Sequence, residues 1–240
     1  MRPQVSVIVP TYREADNLPQ LIPRITESLG EAEPRFEILV VDDSSPDRTQ
    51  EVCRELSRRY PLRLVLRRNE RGLSEAVLRG FEEARGEVFV VMDADLSHPP
   101  ERIPALLEAL EQGADFALGS RYVAGGGIEQ GWGSLRSVNS VIATALARPL
   151  TSVRDPMSGF FALRRETVEK AVRLDPVGYK IALELIVRCD CRAVVEVPIL
   201  FGTRRHGESK LDLRQRWLYL RHLGRLYRHE LCLRRWRRNG

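Results

Sequence analysis

Two aspartates, two positions apart, follow a run of apolar residues. Asp93 and Asp95 come directly after Glu87–Met92, with Ala94 between them. Carboxylates at positions i and i+2 where a strand ends can both address one hard cation, directly or through water. Mg²⁺ and Mn²⁺ prefer such oxygen ligands together with substrate phosphates. The alternative is that Asp95 caps the helix expected near Pro100 and that Asp93 is simply solvated.

Acidic residues also follow two earlier apolar runs. Glu14 comes shortly after Val5–Val9, and Asp42 and Asp43 come at the end of Glu37–Val41. The carboxyl ends of parallel strands meet at one edge of a sheet, and ligands bind at that edge. Acids collected there repel one another unless a cation lies between them. The three strand ends together therefore predict a cation-assisted site for a phosphate-bearing ligand.

The elements that would position these residues alternate in type through the first half of the chain. Strands are predicted at Val5–Val9, Glu37–Val41, Arg63–Leu66, Glu87–Met92 and Asp115–Leu118. Amphipathic helices are predicted at Asn17–Leu29, Pro46–Arg59, Leu73–Ala84 and Pro100–Gln112. The second helix has a start signal, with Ser45 as N-cap and Pro46 at the first helical position. The alternation predicts an α/β fold with a mostly parallel, doubly wound sheet covered by helices on both faces.

Two polar stretches interrupt this alternation. Tyr122–Ser134 contains three consecutive glycines, and Gly202–Lys210 is basic. Both are predicted to be loops. Long polar loops in compact domains commonly carry function.

Composition and length indicate one large hydrophobic core. The chain has 240 residues, 43% of them hydrophobic, and four cysteines that show no zinc-like spacing. No window approaches the roughly 18 apolar residues that a membrane span needs. Met1–Val9 is typical of the start of a strand and not of a signal peptide. We therefore expect a cytoplasmic protein that does not span the membrane.

The basic charge is concentrated at the end of the chain. Residues 212–240 contain nine arginines and two acids, a balance of +7, so the remaining 211 residues carry −2 of the net +5. An apolar stripe at helical spacing runs through this tail: Leu213, Trp217, Leu220, Gly224, Tyr227 and Leu231. Such a helix lies on anionic membranes, or else packs on the core with a solvated arginine face. A nucleic-acid partner is not expected, because no binding fold accompanies the arginines. The predicted organisation is a catalytic domain over residues 1–211 and a basic helical tail over 212–240.

Six motifs together resemble the inverting GT-A glycosyltransferases of family 2. They are Val7–Glu14, Val41–Asp47, Met92–Asp95, Gly119–Tyr122, Asp155–Phe161 and Arg204–Lys210. The last three are similar, more narrowly, to the catalytic domain of dolichyl- and polyprenyl-phosphate mannose synthases. The resemblance extends from Val5 to Leu211. It implies a GT-A fold, Mg²⁺ or Mn²⁺ as cofactor, and transfer of mannose from GDP-mannose to a dolichyl or polyprenyl phosphate.

The resemblance also implies roles for single residues. Those implied to bind the donor are Pro10, Tyr12, Glu14, Val41, Asp43, Asp93, Ala94, Asp95 and Lys180. Those implied to act in catalysis, around the diphosphate and the acceptor phosphate, are Asp93, Asp95, Arg121, Arg204 and Lys210. The implied metal ligands are Asp93 and Asp95. Ser97 stands where the family has a glutamine ligand, and its shorter hydroxyl would act on a cation through water.

The chemistry of the acceptor agrees with this set of residues. Most sugar transfers need a carboxylate base to activate the acceptor, but a phosphate monoester is already an anion near neutral pH. The site has instead to bring two anions together and stabilise the leaving diphosphate, which a divalent cation with arginine and lysine donors does.

Three other functions remain open from the sequence. The first is transfer of glucose or another sugar from a UDP donor, and the second is a non-catalytic nucleotide-sugar-binding module. The third is a nucleotidyltransferase, which normally needs a glycine-rich basic loop after the first strand, and residues 10–14 do not form one. A lipid acceptor would be reached by peripheral docking at the inner face of the membrane or with a membrane-protein partner.

Overall fold

The computed structural model of the protein describes residues 3–30, 35–68, 71–129, 142–171, 174–175, 180–202 and 213–239. Within these ranges the chain forms nine strands: β1 Val5–Thr11, β2 Phe36–Asp42, β3 Leu62–Leu66, β4 Val88–Val91, β5 Phe116–Ser120, β6 Gly127–Ile128, β7 Phe161–Arg164, β8 Val194–Pro198 and β9 Leu200–Phe201. Helices in the same ranges are α1 Leu18–Leu29, α2 Thr49–Leu56, α3 Leu73–Glu83, α4 Ile103–Glu111, α5 over residues 142–147, α6 Arg165–Glu169, α7 Ile181–Arg188 and α8 Leu213–Asn239.

Seven strands form the main sheet, in the order β3-β2-β1-β4-β7-β5-β8. All of them run parallel except β7, which is antiparallel to both of its neighbours, β4 and β5. The prediction of a mostly parallel sheet is confirmed, although β7 and β8 were not predicted. A separate parallel pair joins β6 with β9. β6 lies inside Tyr122–Ser134, so the prediction of a loop was wrong at Gly127–Ile128, and β9 ends directly before the second predicted loop.

Helices cover both faces of this sheet. Neighbouring residues of β1 point to opposite sides, so that Val7 packs with α1, α2 and α4 on one face. Ile8 packs with α3 and α7 on the other. The central strands are apolar on both faces for this reason. The arrangement confirms the predicted doubly wound architecture.

Helix α2 begins later than the sequence predicted, at Thr49 and not at Pro46. The expected N-cap, Ser45, is used elsewhere: its hydroxyl donates to buried Asp42 and accepts the Arg13 backbone N–H. Asp47 Oδ1 instead accepts the backbone N–H and the hydroxyl of Thr49, at 3.1 and 2.6 Å. Ser45 therefore stabilises the turn after β2 and does not cap α2.

The tail is helical as predicted, but of the stripe named from its periodicity Tyr227 packs on the protein while three other large members face solvent. Trp217, Leu220 and Leu231 are 59%, 55% and 59% exposed. The main packed face lies beside this stripe on α8, where Tyr219, Leu223 and Leu226 are buried against α5 and α7. The tyrosine hydroxyl also donates to the Ala143 carbonyl at 2.6 Å. Helix α8 thus packs on the body of the protein and presents an apolar stripe to solvent.

A buried polar contact fastens α8 to α7. Glu184 and His222 are fully buried, and Glu184 Oε2 lies 2.7 Å from His222 Nε2. The other oxygen of Glu184 accepts the Asp175 backbone N–H at 2.9 Å and lies 2.6 Å from Arg188 Nε. Burial opposes ionisation of this carboxyl, yet His222, the Asp175 N–H and Arg188 together lower the pKa of Glu184 below its ordinary 4.5.

We expect Glu184→Gln to lower the free energy of unfolding by about 3 kcal/mol at neutral pH, because the amide no longer compensates the charge of partly buried Arg188 and no longer pairs with it inside the protein. Because the pKa of Glu184 is lower in the folded protein than in the unfolded chain, its carboxylate stabilises the fold fully above about pH 4.5. This stabilisation is lost as the pH falls through the pKa of the folded state. Urea unfolding at pH 7 and at pH 4 should therefore show a difference between variant and wild type that shrinks in acid.

The control is Glu51→Gln, which removes the carboxylate of an exposed pair with Arg48 on one turn of helix. It should change stability little at either pH. A Glu184→Gln protein as stable as wild type at pH 7 would contradict the role given to this contact.

Candidate functional site

The carboxyl ends of β1, β2 and β4 lie side by side, as the order of the strands requires. In the described residues after each of these ends, one non-glycine residue adopts a left-handed backbone: Arg13 at φ 63°, Ser44 at φ 51° and Leu96 at φ 63°. Such conformations cost free energy in residues with a Cβ and concentrate at functional sites. This edge is therefore the candidate site.

Asp95 is held by the turn that follows it. It is 6% exposed, and its Oδ1 accepts the backbone N–H of Ser97 at 3.1 Å and also the Ser97 hydroxyl. Pro100–Arg102 form a short 3₁₀ helix before α4, and in this described part of the chain no side chain caps either helix. The alternative that Asp95 caps a helix is thus wrong. Its carboxylate bonds within the turn that follows β4.

Asp93 lies beside a buried histidine. The Asp93 backbone N–H donates to His98 Nδ1 at 3.1 Å, and the His98 ring stacks on Phe160 with centroids 5.4 Å apart. Burial lowers the pKa of His98 despite the opposing charges of Asp93 and Asp95. The imidazole is therefore neutral at pH 7 and supports the Asp93 backbone. A Cβ atom on Gly159 would lie 3.4 Å from both carboxylate oxygens of Asp93 and from His98 Cε1, so the glycine packs closely against both side chains.

Arg121 is oriented by Asp155, which is fully buried. The guanidinium donates through Nε at 2.7 Å and through Nη2 at 2.6 Å, one bond to each oxygen of Asp155. The Arg121 backbone N–H donates to the same carboxylate at 3.0 Å. Burial works against the charge, but Asp155 raises the pKa of Arg121 above its ordinary value. A bidentate pair of this kind fixes the plane of the guanidinium.

Lys180 stands next to this pair, directly before α7, and is partly buried. Burial, and after it the charge of Arg121, lowers the pKa of Lys180 from 10.5 to about 7, although Asp155 and Asp93 act in the opposite direction. The structure thus brings Asp93, Arg121 and Lys180 into one electrostatic environment. An anion bound beside Lys180 would favour its protonated form.

Asp43, at the end of β2, is fixed from two sides. Its Oδ1 accepts from Arg67 Nη1 at 2.6 Å, and its Oδ2 accepts the Gly72 backbone N–H at 2.9 Å. Burial outweighs these partners and raises the pKa of Asp43. Its neighbour Asp42 does not face the edge in the same way, because Ser45 uses both of its oxygens. Sequence analysis missed Arg67, whose only signal was its place after the third apolar run.

The other residues implied to bind the donor differ in exposure. Two guanidinium groups lie near the Tyr12 ring, that of Arg13 at 5.3 Å and that of Arg71 at 4.8 Å from its centroid. Glu14 is partly buried, and its Oε2 accepts from Asn17 at 2.6 Å. The fully or largely buried members of this set are Pro10, Val41 and Ala94. Val41 and Ala94 pack in the cores of the two faces.

Arg204 and Lys210 lie outside the described residues. The described chain reaches Gly202, whose backbone N–H donates to the Ser97 carbonyl at 2.8 Å. Gly202, the last described residue before them in the sequence, therefore lies next to the turn that holds Asp95.

The residues at this edge suit a cation that a ligand helps to bind. Among the described residues, no three His, Cys, Asp or Glu side chains converge as a metal site formed by protein alone. Two carboxylates at a strand end fit Mg²⁺ or Mn²⁺, which take few protein ligands and complete their shell with water and phosphate oxygens. Asp93 and Asp95 would supply the protein oxygens.

Comparison with known proteins places the chain in a family. Residues 6–172 match the family described as glycosyl transferase family 2. The chain is 51% identical to a dolichol-phosphate mannosyltransferase of Pyrococcus furiosus, over 95% of this chain and 64% of that protein. It is 45% identical to a dolichol-phosphate mannosyltransferase of Saccharomyces cerevisiae, over 93% of this chain and 87% of that one. The chain thus spans slightly less than two thirds of the length of the archaeal relative.

A solved structure shows the same fold at low sequence identity. Glucosyl-3-phosphoglycerate synthase from Mycobacterium tuberculosis, in complex with Mn²⁺, UDP-glucose and phosphoglyceric acid, superposes with a TM-score of 0.69. The likeness covers 93% of this chain and 80% of that one at 21% identity, so it shows the GT-A-like fold. With the family match over more than half of its length, the chain belongs to glycosyl transferase family 2.

Proposed function

We propose that this protein transfers mannose from GDP-mannose to a dolichyl or polyprenyl phosphate and inverts the anomeric carbon. One observation carries the proposal: the Asp93–Asp95 pair and the Arg121–Asp155–Lys180 cluster share one edge of the sheet. A site of this kind accommodates a diphosphate and a second phosphate together. The names of the relatives from Pyrococcus furiosus and Saccharomyces cerevisiae support mannose and a dolichol phosphate.

The proposed reaction needs no strong base. An oxygen of the acceptor phosphate attacks C1 of the sugar, and the bond from C1 to the diphosphate breaks as GDP leaves. Asp93 and Asp95 would hold a divalent cation, which would supply positive charge against the leaving diphosphate. Arg121, whose plane Asp155 fixes, is oriented to hold a phosphate without reorganisation during the reaction. Lys180 adds a charge that phosphate binding stabilises, and Arg204 and Lys210 are proposed to complete the cationic side.

The proposed metal ligands are Asp93 and Asp95, with Mg²⁺ or Mn²⁺ as the ion. At the other end of the donor, Asp43 is proposed to receive the guanosine, with Pro10, Tyr12, Glu14 and Val41 around it. The contacts from Arg67 and Gly72 support this role of Asp43, because they fix an acceptor at the rim before a ligand arrives.

A donor screen tests the proposal. The full chain is incubated with a polyprenyl phosphate and with GDP-mannose, GDP-glucose, UDP-glucose or UDP-mannose, with Mn²⁺, Mg²⁺ or EDTA. We expect lipid-linked mannose from GDP-mannose only, dependent on the divalent ion. Transfer from UDP-glucose in preference would replace the donor assignment. Tight GDP-mannose binding with no transfer to any acceptor would favour a non-catalytic binding module.

We further propose that α8 docks on the anionic inner face of the membrane. No helix in the described ranges has the length and apolar character to cross a bilayer. The exposed stripe of α8 combines Trp217, Leu220 and Leu231 with Arg221, whose guanidinium lies 5.3 Å from the Trp217 ring centroid. Indole and leucine side chains enter the headgroup region while arginines meet anionic phosphates.

We expect the double variant Trp217→Ala/Leu220→Ala to bind anionic vesicles at least about ten-fold more weakly, since two large apolar side chains no longer enter the lipid. Co-sedimentation with vesicles that contain phosphatidylserine measures this binding. Activity on a short-chain, water-soluble acceptor should stay near the wild-type value. The control is Val195→Ala, which removes an apolar side chain that is 42% exposed on β8. Unchanged vesicle binding by the double variant would contradict the docking role of the stripe.

A further inference from the structure

The turn after Asp95 is fixed by its backbone as well as by its side chain. Leu96 is left-handed at φ 63°, the Ser97 N–H donates back to Asp95 Oδ1, and the Ser97 carbonyl accepts from Gly202. None of these three features involves the Ser97 side chain. The hydroxyl of Ser97 adds one further bond, again to Asp95 Oδ1.

This geometry turns the Ser97 side chain back towards Asp95. Ser97 is 1% exposed, so its hydroxyl is covered by protein at an edge where a ligand arrives from solvent. Both of its donors meet the same carboxylate oxygen, which sets the rotation of the carboxylate and the direction in which Oδ2 points. A group that hydrogen-bonds to a metal-binding carboxylate in this way commonly tunes the affinity of the site.

We propose that Ser97 is a positioning residue for the metal carboxylate Asp95 and does not itself bind the metal. The inference rests on the cation site of the proposed function and deepens it. The hydroxyl fixes the orientation of Asp95 before the cation arrives, so less conformational freedom is lost when the cation and the diphosphate bind.

The test measures metal binding and not turnover. Mn²⁺ is titrated into the full chain in the presence of GDP, and free Mn²⁺ is followed by electron paramagnetic resonance. GDP binding in EDTA is measured by calorimetry. We expect Ser97→Ala to weaken Mn²⁺ binding about 10–100-fold, as loss of such a partner generally does, and to leave GDP binding in EDTA unchanged. Ser97→Thr keeps the hydroxyl and should restore Mn²⁺ affinity to within about three-fold of wild type.

A matched control comes from the opposite edge of the sheet. Ser6 is also fully buried, and its hydroxyl donates to a carboxylate oxygen of Glu37 at 2.7 Å. Ser6→Ala removes the same kind of hydrogen bond far from the site. It should lower thermal stability and leave Mn²⁺ affinity unchanged, which separates a local effect at Asp95 from general loosening of the fold.

A cysteine variant separates positioning from direct ligation. If Ser97 bound the cation, Ser97→Cys would place a thiolate on it and raise the affinity for thiophilic Cd²⁺ above that of wild type. A positioning role predicts no such gain. A Cd²⁺ gain in Ser97→Cys, or wild-type Mn²⁺ affinity in Ser97→Ala, would overturn the inference.

The result is separable from the proposed reaction. Metal-dependent GDP binding that is weakened in Ser97→Ala, with no mannose transfer by the wild type, would refute the reaction and support the role of Ser97. Mannose transfer by the wild type, with unaltered Mn²⁺ binding in Ser97→Ala, would support the reaction and refute the role of Ser97. Absence of metal-dependent nucleotide binding in the wild type would overturn the role of Ser97 together with the metal site.

Discussion

Asp95→Asn should lower the rate of sugar transfer by at least about 10³-fold, because the leaving diphosphate would lose much of its metal-dependent stabilisation. The asparagine has the shape of the aspartate and keeps an oxygen that can accept from the Ser97 N–H, so the fold should persist. Asp95→Ala should be equally inactive but less stable, since two donors of buried Ser97 would lose their acceptor. Transfer rates with saturating donor and Mn²⁺, together with thermal melts, measure both effects.

A second buried aspartate at the same edge provides the control for this variant. Asp42 accepts from the N–H and the hydroxyl of Ser45 on separate oxygens, whereas both donors of Ser97 meet one oxygen of Asp95, so an amide at position 42 would face one of the Ser45 donors. Asp42→Asn should therefore cost stability while the metal concentration needed for nucleotide binding stays as in wild type. Near-normal transfer by Asp95→Asn would remove the metal assignment.

Asp155→Ala should lower the free energy of unfolding by about 3–5 kcal/mol, because it leaves the buried Arg121 guanidinium without its carboxylate partner. It should also reduce transfer strongly, since the guanidinium would lose the bidentate contact that sets its plane. Arg121→Lys keeps the charge but cannot make the forked contact, and it should lose activity as well. Urea unfolding and transfer assays on the same preparations check both expectations.

The surface pair Arg24–Glu101 offers the matched comparison for Asp155. It has the same two-bond geometry, at 2.8 and 3.0 Å, but its side chains are 39% and 55% exposed. Glu101→Ala should cost less than about 1 kcal/mol, as exposed pairs commonly do. If Asp155→Ala cost no more than Glu101→Ala, the buried pair would not be what holds this part of the site.

The fold could be predicted to the extent that it depends on local pattern. The apolar runs of β1, β2 and β4 are separated by amphipathic helices, so their parallel pairing and the meeting of their ends follow from the alternation of strand and helix along the chain. β7 has four residues and lies antiparallel between β4 and β5, a pairing across distant positions that periodicity does not encode. The start of α2 was misplaced because Ser45 serves a turn that only the position of Asp42 reveals.

The site residues, too, could be predicted where they depend on local sequence and not where they depend on distant contacts. Asp93 and Asp95 were predicted because two carboxylates at a strand end need no knowledge of distant contacts. The partner of Arg121 stands 34 positions away, and the orientation of Ser97 depends on a left-handed residue that the sequence does not mark. In the tail, periodicity predicted the helix but could not tell which of its sides packs, since both carry large apolar residues.

The packing of α8 against α5 and α7 limits how the chain can be truncated. The charge of the tail makes it look like an appendage that can be removed. Truncation before Leu213 would, however, expose Leu183 and Val187 to solvent and leave the Glu184 carboxylate without its histidine partner on α8. Those residues belong to the helix that begins directly after Lys180. A loss of turnover in such a truncated protein could come either from disordered packing around α7 or from loss of the lipid contact. Substitutions on the solvent-exposed side of α8 test the lipid contact alone.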